Sequence, residues 1–114
     1  MATDRFIQFG KRKPKKAELE SVLRNFFGEA GTVEWNQDRF TVLLQGPGTF
    51  PFIDLEPDLA PRLRPKERWI EVYPGNPVDV ITRLGDEYTS ACARGLAKMI
   101  ARYWAGELDM EDDD

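Results

Sequence analysis

Residues 32–45 read TVEWNQDRFTVLLQ, and this stretch decides the fold class. On either side of residues 37–38, apolar residues alternate with polar ones at a period of two, which is the pattern of half-buried β-strands. Two such runs joined by a two-residue connection predict a β-hairpin. Its buried side is expected to carry five apolar side chains, namely Val33, Trp35, Phe40, Val42 and Leu44.

Two amphipathic helices are predicted, one before this hairpin and one far beyond it. Apolar residues recur at three- and four-residue spacing over residues 14–27 and again over residues 86–105. Gly28 and Gly106 follow these stretches and are typical of helix ends. Cys92, the single cysteine, lies on the apolar stripe of the second helix and is therefore expected to be a small core residue.

Three further strands complete the predicted order. They are expected over residues 6–9, 67–73 and 78–82. The last of them is open to a second interpretation, because Asn76 and Pro77 suit the start of a helix, whereas the β-branched residues that follow favour the strand that we prefer. The order β-α-β-β-loop-β-β-α predicts an α+β fold, a two-layer sandwich in which a mainly antiparallel sheet of about five strands carries two helices on one face.

The length and the charge distribution predict one domain over residues 1–106 and an acidic, disordered tail over residues 107–114. The chain has 114 residues, which fits a single domain. Six of the last eight residues are acidic, so the body is left with 14 of the 20 acidic residues against 16 basic ones. A nearly neutral body attracts polyanions only weakly from a distance. The tail is expected to be solvated, the alternative being a flexible arm for a basic partner.

The composition predicts a cytoplasmic protein. No stretch approaches the ~18 consecutive apolar residues of a membrane-spanning helix, and the first residues lack the apolar run of a signal peptide. A single cysteine excludes an internal disulfide and favours a reducing compartment.

The sequence predicts no catalytic residue and no metal-binding residue. The chain has no histidine, the commonest general base and metal ligand, and one cysteine is too few for a typical zinc site. No cofactor is expected either. An enzyme that uses carboxylates is the least favoured alternative, and its candidate side chains are expected to be solvated or to cap helices. These carboxylates are Asp54, Asp79, Asp86 and Glu87. Asp54, Glu56 and Asp58 could together bind a hard cation, but they are interpreted as a solvated acidic loop.

A partner-binding surface is predicted on the face of the sheet opposite the helices. If Ile70 and Val72 point to the helices, alternation turns their neighbours outward. Residues 46–66, which hold five prolines, either cover this face or add aromatic rings to it. The predicted partner-binding residues are Leu43, Phe50, Phe52, Trp69, Glu71 and Tyr73.

Basic residues are concentrated in the turn between the first strand and the first helix. Such a cluster could hold phosphate groups, so a nucleic-acid-binding accessory domain is the main alternative function. The residues of this basic turn are Lys11, Arg12, Lys13, Lys15 and Lys16. A second basic ridge, formed by Arg94, Lys98 and Arg102, is interpreted as the solvated surface of the last helix.

The preferred function is therefore a small non-enzymatic protein-interaction module. The missing catalytic groups and the aromatic face of the sheet both favour it. An inhibitor, an immunity-type protein, an adaptor subunit or a homodimer would each fit this description, and the sequence does not distinguish among them.

Overall fold

Six strands and two helices are present in the computed structural model, which describes residues 2–44, 68–83 and 87–110. The helices are α1 (Lys16–Phe27) and α2 (Glu87–Tyr103), and a single turn of 3-10 helix covers Gly28–Ala30. Neither helix combines the length and the apolar character that crossing a bilayer requires. The strands are β1 (Thr3–Gln8), β2 (Gly31–Asn36), β3 (Arg39–Leu44), β4 (Trp69–Tyr73), β5 (Val78–Thr82) and β6 (Glu107–Met110).

The strands form one antiparallel sheet in the order β2-β3-β4-β5-β1-β6. This arrangement confirms the α+β class and the predicted strand at residues 78–82. The helices and the first five strands follow the predicted order, but a sixth strand comes after the second helix, where about five strands were predicted. The β4–β5 turn is tied to the end of β1, because the side-chain amide of Asn76 donates to the carbonyl of Phe9 at 3.0 Å and its oxygen accepts from the Phe9 N–H at 2.8 Å. The Asn76 side chain thus links the β4–β5 turn to the end of β1 through two hydrogen bonds, and it does not cap a helix.

The sixth strand lies in the segment expected to be a disordered tail. β6 pairs antiparallel with β1, from Glu107 opposite Gln8 to Met110 opposite Arg5, and residues 111–114 lie outside the described part. Its Leu108 and Met110 are half-buried and alternate with exposed acidic residues. The alternation is that of a strand, but its acidic residues favoured a solvated tail in the sequence analysis.

The link between α2 and β6 depends on a close approach at Gly106. A Cβ at this position would lie 2.7 Å from Cγ2 of Ile7 and 2.8 Å from Cε1 of Phe9. Ala105, and not the glycine, takes the left-handed conformation at the end of the helix, with φ of 51°, and the Gly106 N–H donates to the carbonyl of Ala101 at 2.7 Å. Gly106 therefore follows the helix end as predicted, and its missing side chain lets β6 start against β1.

The core lies between one face of the sheet and the two helices. Register places Phe40, Val72 and Val80 side by side across three strands, and all three are fully buried. Leu23 of α1 and Leu96 of α2 belong to the same core, so both helices cover this face, as predicted. Cys92 is fully buried too, which confirms its expected place in the core.

Trp35 departs from its predicted place in the core. Its ring packs edge-on against Phe40, at 4.8 Å between centroids, but 39% of the residue is exposed. β2 is an edge strand, so Trp35 has a strand neighbour on one side only. Lys16, the first residue of α1, places its ammonium group 3.9 Å from the centre of the indole ring.

Candidate functional site

The outward residues of β4 lie on the sheet face opposite the helices, as the alternation predicts. Ile70 and Val72 are fully buried in the core, so Trp69, Glu71 and Tyr73 occupy the reverse face. Trp69 and Tyr73 are half-buried, whereas Glu71 is buried. A buried carboxylate on this side of a sheet requires partners, because an isolated ion loses its hydration there.

Glu71 is the centre of a hydrogen-bonded cluster. One carboxylate oxygen accepts from Nε of Arg83 at 2.6 Å and from the indole N–H of Trp69 at 3.2 Å. The other oxygen accepts from Nη1 of Arg39 at 2.9 Å, from the Tyr73 hydroxyl at 3.2 Å and from Nη2 of Arg83 at 3.4 Å. We call these five residues the Glu71 cluster: Arg39, Trp69, Glu71, Tyr73 and Arg83.

The electrostatics of this cluster keep Glu71 ionised. Burial alone would raise the pKa of its carboxyl group, but the hydrogen bonds from Arg83, Trp69 and Arg39 outweigh it, and the net pKa is lowered. In return, the hydrogen bond to Glu71 raises the pKa of Arg83. The pKa of Arg39 is raised by its hydrogen bonds to Asp38 first and to Glu71 second.

Both guanidinium groups connect the buried carboxylate to the solvent. The side chain of Glu71 is 6% exposed, against 32% for Arg39 and 45% for Arg83. Arg39 also lies over the Tyr73 ring, with its guanidinium carbon 5.0 Å from the ring centroid, within the range of a cation–π interaction. Four large, partly exposed side chains are thus held in place by their hydrogen bonds to the Glu71 carboxylate.

Alternation along the sequence predicted Trp69, Glu71 and Tyr73 as members of this face, whereas Arg39 and Arg83 were not predicted. Thr41 of β3 and Ile81 of β5 flank Glu71 in the sheet, and alternation puts Arg39 two residues from one and Arg83 two residues from the other. Alternation could therefore have placed Arg39 and Arg83 on the outward face. It does not show which residues of neighbouring strands lie opposite each other, because a single sequence does not provide the register.

The other predicted partner-binding residues divide into two groups. Leu43 is half-buried and lies opposite Trp69 in the register of β3 and β4, so the structure brings these two together. Phe50 and Phe52 lie outside the described residues, as does the whole of 46–66, and the prediction that this stretch covers or extends the sheet face stays a prediction.

The basic turn is located apart from the Glu71 cluster. Its five basic residues are all exposed, four of them between β1 and α1 and the fifth, Lys16, at the first position of α1. Arg12 forms an ion pair with Glu18 at 2.6 Å. The backbone N–H of Lys15 donates to Glu18 at 3.0 Å and lowers the pKa of that carboxyl group. Because Lys16 contacts Trp35 on the helix-bearing face, the two predicted sites do not meet.

The carboxylates considered for catalysis do not form a recognisable centre in the described part of the chain. Asp79 lies in β5 opposite Tyr73, and Glu87 begins α2. Within residues 2–44, 68–83 and 87–110, no three histidine, cysteine, aspartate or glutamate residues come together as a metal site. Two of the carboxylates named for catalysis, Asp54 and Asp86, lie outside these ranges, as do Glu56 and Asp58, which were considered with Asp54 for a cation.

Comparison with known proteins adds no relative of this chain. No family model, no curated protein and no solved structure matches it. The geometry of the described residues therefore carries the functional argument.

Proposed function

We propose that this protein is a non-enzymatic protein-binding module that uses the sheet face around the Glu71 cluster. The observation that carries the proposal is the preorganisation of this cluster, in which one buried carboxylate accepts five contacts from four side chains. Tryptophan, tyrosine and arginine are the residue types that dominate binding hot spots. Side chains that are already fixed lose less conformational entropy on binding.

The state of Glu71 supports binding over catalysis. A general base works best when its pKa lies near the operating pH and its oxygens can reach a substrate. The Glu71 carboxylate has a lowered pKa, and its oxygens already accept from four neighbouring side chains. It is better suited to hold Arg39 and Arg83 in place than to take up a proton.

The chemistry of the face suggests the kind of partner. The half-buried rings of Trp69 and Tyr73 offer apolar area, and Leu43 extends it. Arg39 and Arg83 add partly exposed guanidinium groups, which pair well with carboxylates. We therefore infer a protein surface with an apolar centre and carboxylates at its edge, on another protein or on a second copy of this chain. A cytoplasmic location is part of the same proposal.

A binding comparison with matched variants tests this function. Wild type, Trp69→Ala/Tyr73→Ala, Arg83→Glu and the control Arg24→Glu are immobilised and exposed to an extract of the native cell. Arg24 lies on α1, in the helix layer on the other side of the sheet, and pairs with Glu20 one helical turn away. We expect one protein to be retained by wild type and the control and lost from the other two, with its affinity then measured in purified form.

Self-association is measured on the same variants by size-exclusion chromatography with light scattering. A wild-type dimer that Arg83→Glu dissociates would support a second copy as the partner. If all four proteins are folded, monomeric and retain the same proteins to the same extent, the proposal is wrong.

One observation favours nucleic-acid binding as a second candidate. The basic turn has an exposed aromatic neighbour, because Trp35 lies beside Lys16. Basic side chains that follow a backbone, together with aromatic rings on which bases stack, are typical of single-strand binding sites. The test is retention on single-stranded oligonucleotides at low salt, which Trp35→Ala and Lys11→Gln/Lys13→Gln should each reduce. Equal retention of these variants and wild type would exclude this candidate.

A further inference from the structure

An apolar groove runs between α1 and α2 in the helix layer. Its volume is about 610 Å³, and it opens to solvent, since Ser21 and Asn25 on one wall are exposed and Tyr103 on the other is 69% exposed. A volume of this size lies within the ~300–1,000 Å³ of small-molecule sites. The apolar side chains that line it are Val22, Phe26, Met99, Tyr103 and Trp104.

Trp104 forms part of the wall of this groove. Its ring packs edge-on against Phe9 and Tyr103, and its indole N–H is buried without a hydrogen-bond partner among the residues that the structure describes. An unpartnered buried donor is costly and uncommon in native proteins. Because the ring forms part of the groove wall, the signal of this N–H reports on a molecule that occupies the groove.

The charges beside the groove favour an anion. Lys98 and Arg102 lie one turn apart on α2 and line a depression that shares Met99 with the groove. Neither of them forms an ion pair with any described residue. On the opposite wall, the charge of Glu18 is balanced by Arg12 at 2.6 Å. Within the described part of the chain, the unpaired charge at the α2 side of the groove is therefore positive.

We infer that this groove binds a small anionic amphiphile, a hydrocarbon chain that carries a carboxylate. The chain lies among Val22, Phe26 and Met99, and the carboxylate points to Lys98 and Arg102. The groove extends along α1 from Ala17 to Phe26, which is about 14 Å at ~1.5 Å per residue. This length suits a hydrocarbon chain of medium length. A docking helix of the same length would have fewer than three turns. The inference does not rest on the proposed function, because it uses the helix layer and not the reverse face of the sheet.

The test follows the three indole N–H signals of the chain in proton–nitrogen correlation spectra during titration with decanoate. The signals of Trp35, Trp69 and Trp104 are assigned with single Trp→Phe variants. We expect the Trp104 signal to shift and to saturate. The Trp69 signal should stay in place, because its N–H is bonded to Glu71 on the other side of the sheet. Octanoate should bind more weakly, by up to about fourfold for each fully buried CH₂ that is removed.

Substitutions separate the apolar and the charged parts of the site. Ser21→Trp adds a ring from an exposed position of α1 that lines the groove and should abolish the shift of the Trp104 signal. Lys98→Gln/Arg102→Gln should weaken decanoate by about three- to tenfold at low salt and leave decanol unchanged. The matched control Lys11→Gln/Arg24→Gln removes two exposed cations that do not line the groove and should bind decanoate like wild type.

Three results would overturn the inference. The first is a Trp104 signal that stays in place at millimolar decanoate, or that shifts equally in wild type and in Ser21→Trp. The second is equal affinity for decanoate and decanol with no effect of Lys98→Gln/Arg102→Gln, which would leave an apolar site without anion preference. The third is a wild-type dimer that Ser21→Trp dissociates, because a second copy would then occupy the groove.

Discussion

Arg83 holds Glu71 with two nitrogens, since its Nε lies 2.6 Å from one carboxylate oxygen and its Nη2 lies 3.4 Å from the other. Glu71 lies in β4, opposite Ile81 of β5. Arg83 is the second residue after Ile81, just beyond the end of β5, so the two side chains lie close together. The carboxylate is almost fully buried, while the guanidinium remains nearly half exposed. The ion pair therefore links the buried carboxylate of Glu71 to an arginine side chain that is accessible to solvent.

Neutralising Glu71 should destabilise the protein. Glu71→Gln removes the charge that two guanidinium groups share and leaves them without a counter-ion. Because hydrogen bonds to charged groups contribute more than neutral ones, and because Arg39 and Arg83 can turn to solvent, we expect a loss of about 2–3 kcal/mol in the free energy of unfolding. Urea denaturation measures it. Glu20→Gln, which breaks an exposed pair with Arg24, should cost less than about 0.5 kcal/mol, and equal costs for both variants would contradict the prediction.

The same substitution should change how stability depends on pH. The folded-state pKa of Glu71 is lowered from the ordinary carboxyl value of 4.5, so its contribution to stability is complete above that value and is lost as pH falls through the folded-state pKa. The difference in unfolding free energy between wild type and Glu71→Gln should therefore be constant near neutral pH and shrink below pH 4.5. Denaturation curves at a series of pH values measure it, and a difference that grows toward acid pH would show that the sign is wrong.

The close approach at Gly106 should make this position sensitive to one added methyl group. Gly106→Ala places a Cβ 2.7 Å from Cγ2 of Ile7 and 2.8 Å from Cε1 of Phe9, so these buried side chains or the backbone at position 106 have to shift. Overpacking of this kind typically costs about 1–3 kcal/mol. Gly10→Ala is the control, because nothing lies within 4 Å of its added Cβ and it should be neutral or slightly stabilising. Thermal unfolding of both variants gives the comparison, and equal melting temperatures would count against it.

The tie between Asn76 and Phe9 should stabilise the contact of β1 with the β4–β5 turn. Asn76→Ala leaves both the N–H and the carbonyl of Phe9 without this partner, and we expect a cost of about 1–3 kcal/mol. The Phe9 amide should also exchange its hydrogen faster. Asn36→Ala serves as the control, since its bond to Thr41 at 3.0 Å is exposed. If the Phe9 amide exchanges its hydrogen at the wild-type rate in Asn76→Ala, the two hydrogen bonds do not stabilise this contact.

Local patterns in the sequence predicted most of the elements. The alternation on either side of residues 37–38 gave the hairpin, and helical spacing placed Leu23 and Leu96 in the core. The outward direction of Trp69 and Tyr73 followed from the same period of two. These predictions succeed because each depends only on neighbours along the chain.

The predictions that failed depend on neighbours in space. The exposure of Trp35 follows from the edge position of β2, and the strand at β6 depends on the fit of Gly106 against β1. The Glu71 cluster needs the register of three strands to bring Arg39 and Arg83 to one carboxylate. Strand order and register are set by packing of the whole sheet, so a single sequence does not show them.

The position of β1 has a consequence for the order in which the protein can assemble during synthesis. β1 is made before the other five strands of the described sheet, yet its sheet partners are β5 and β6, about 75 and 100 residues later. β2, β3, β4 and β5 can pair with one another as they leave the ribosome, while β1 has to wait with Ile7 uncovered. Closure of the sheet is therefore a late, long-range event, and contacts of this kind slow folding.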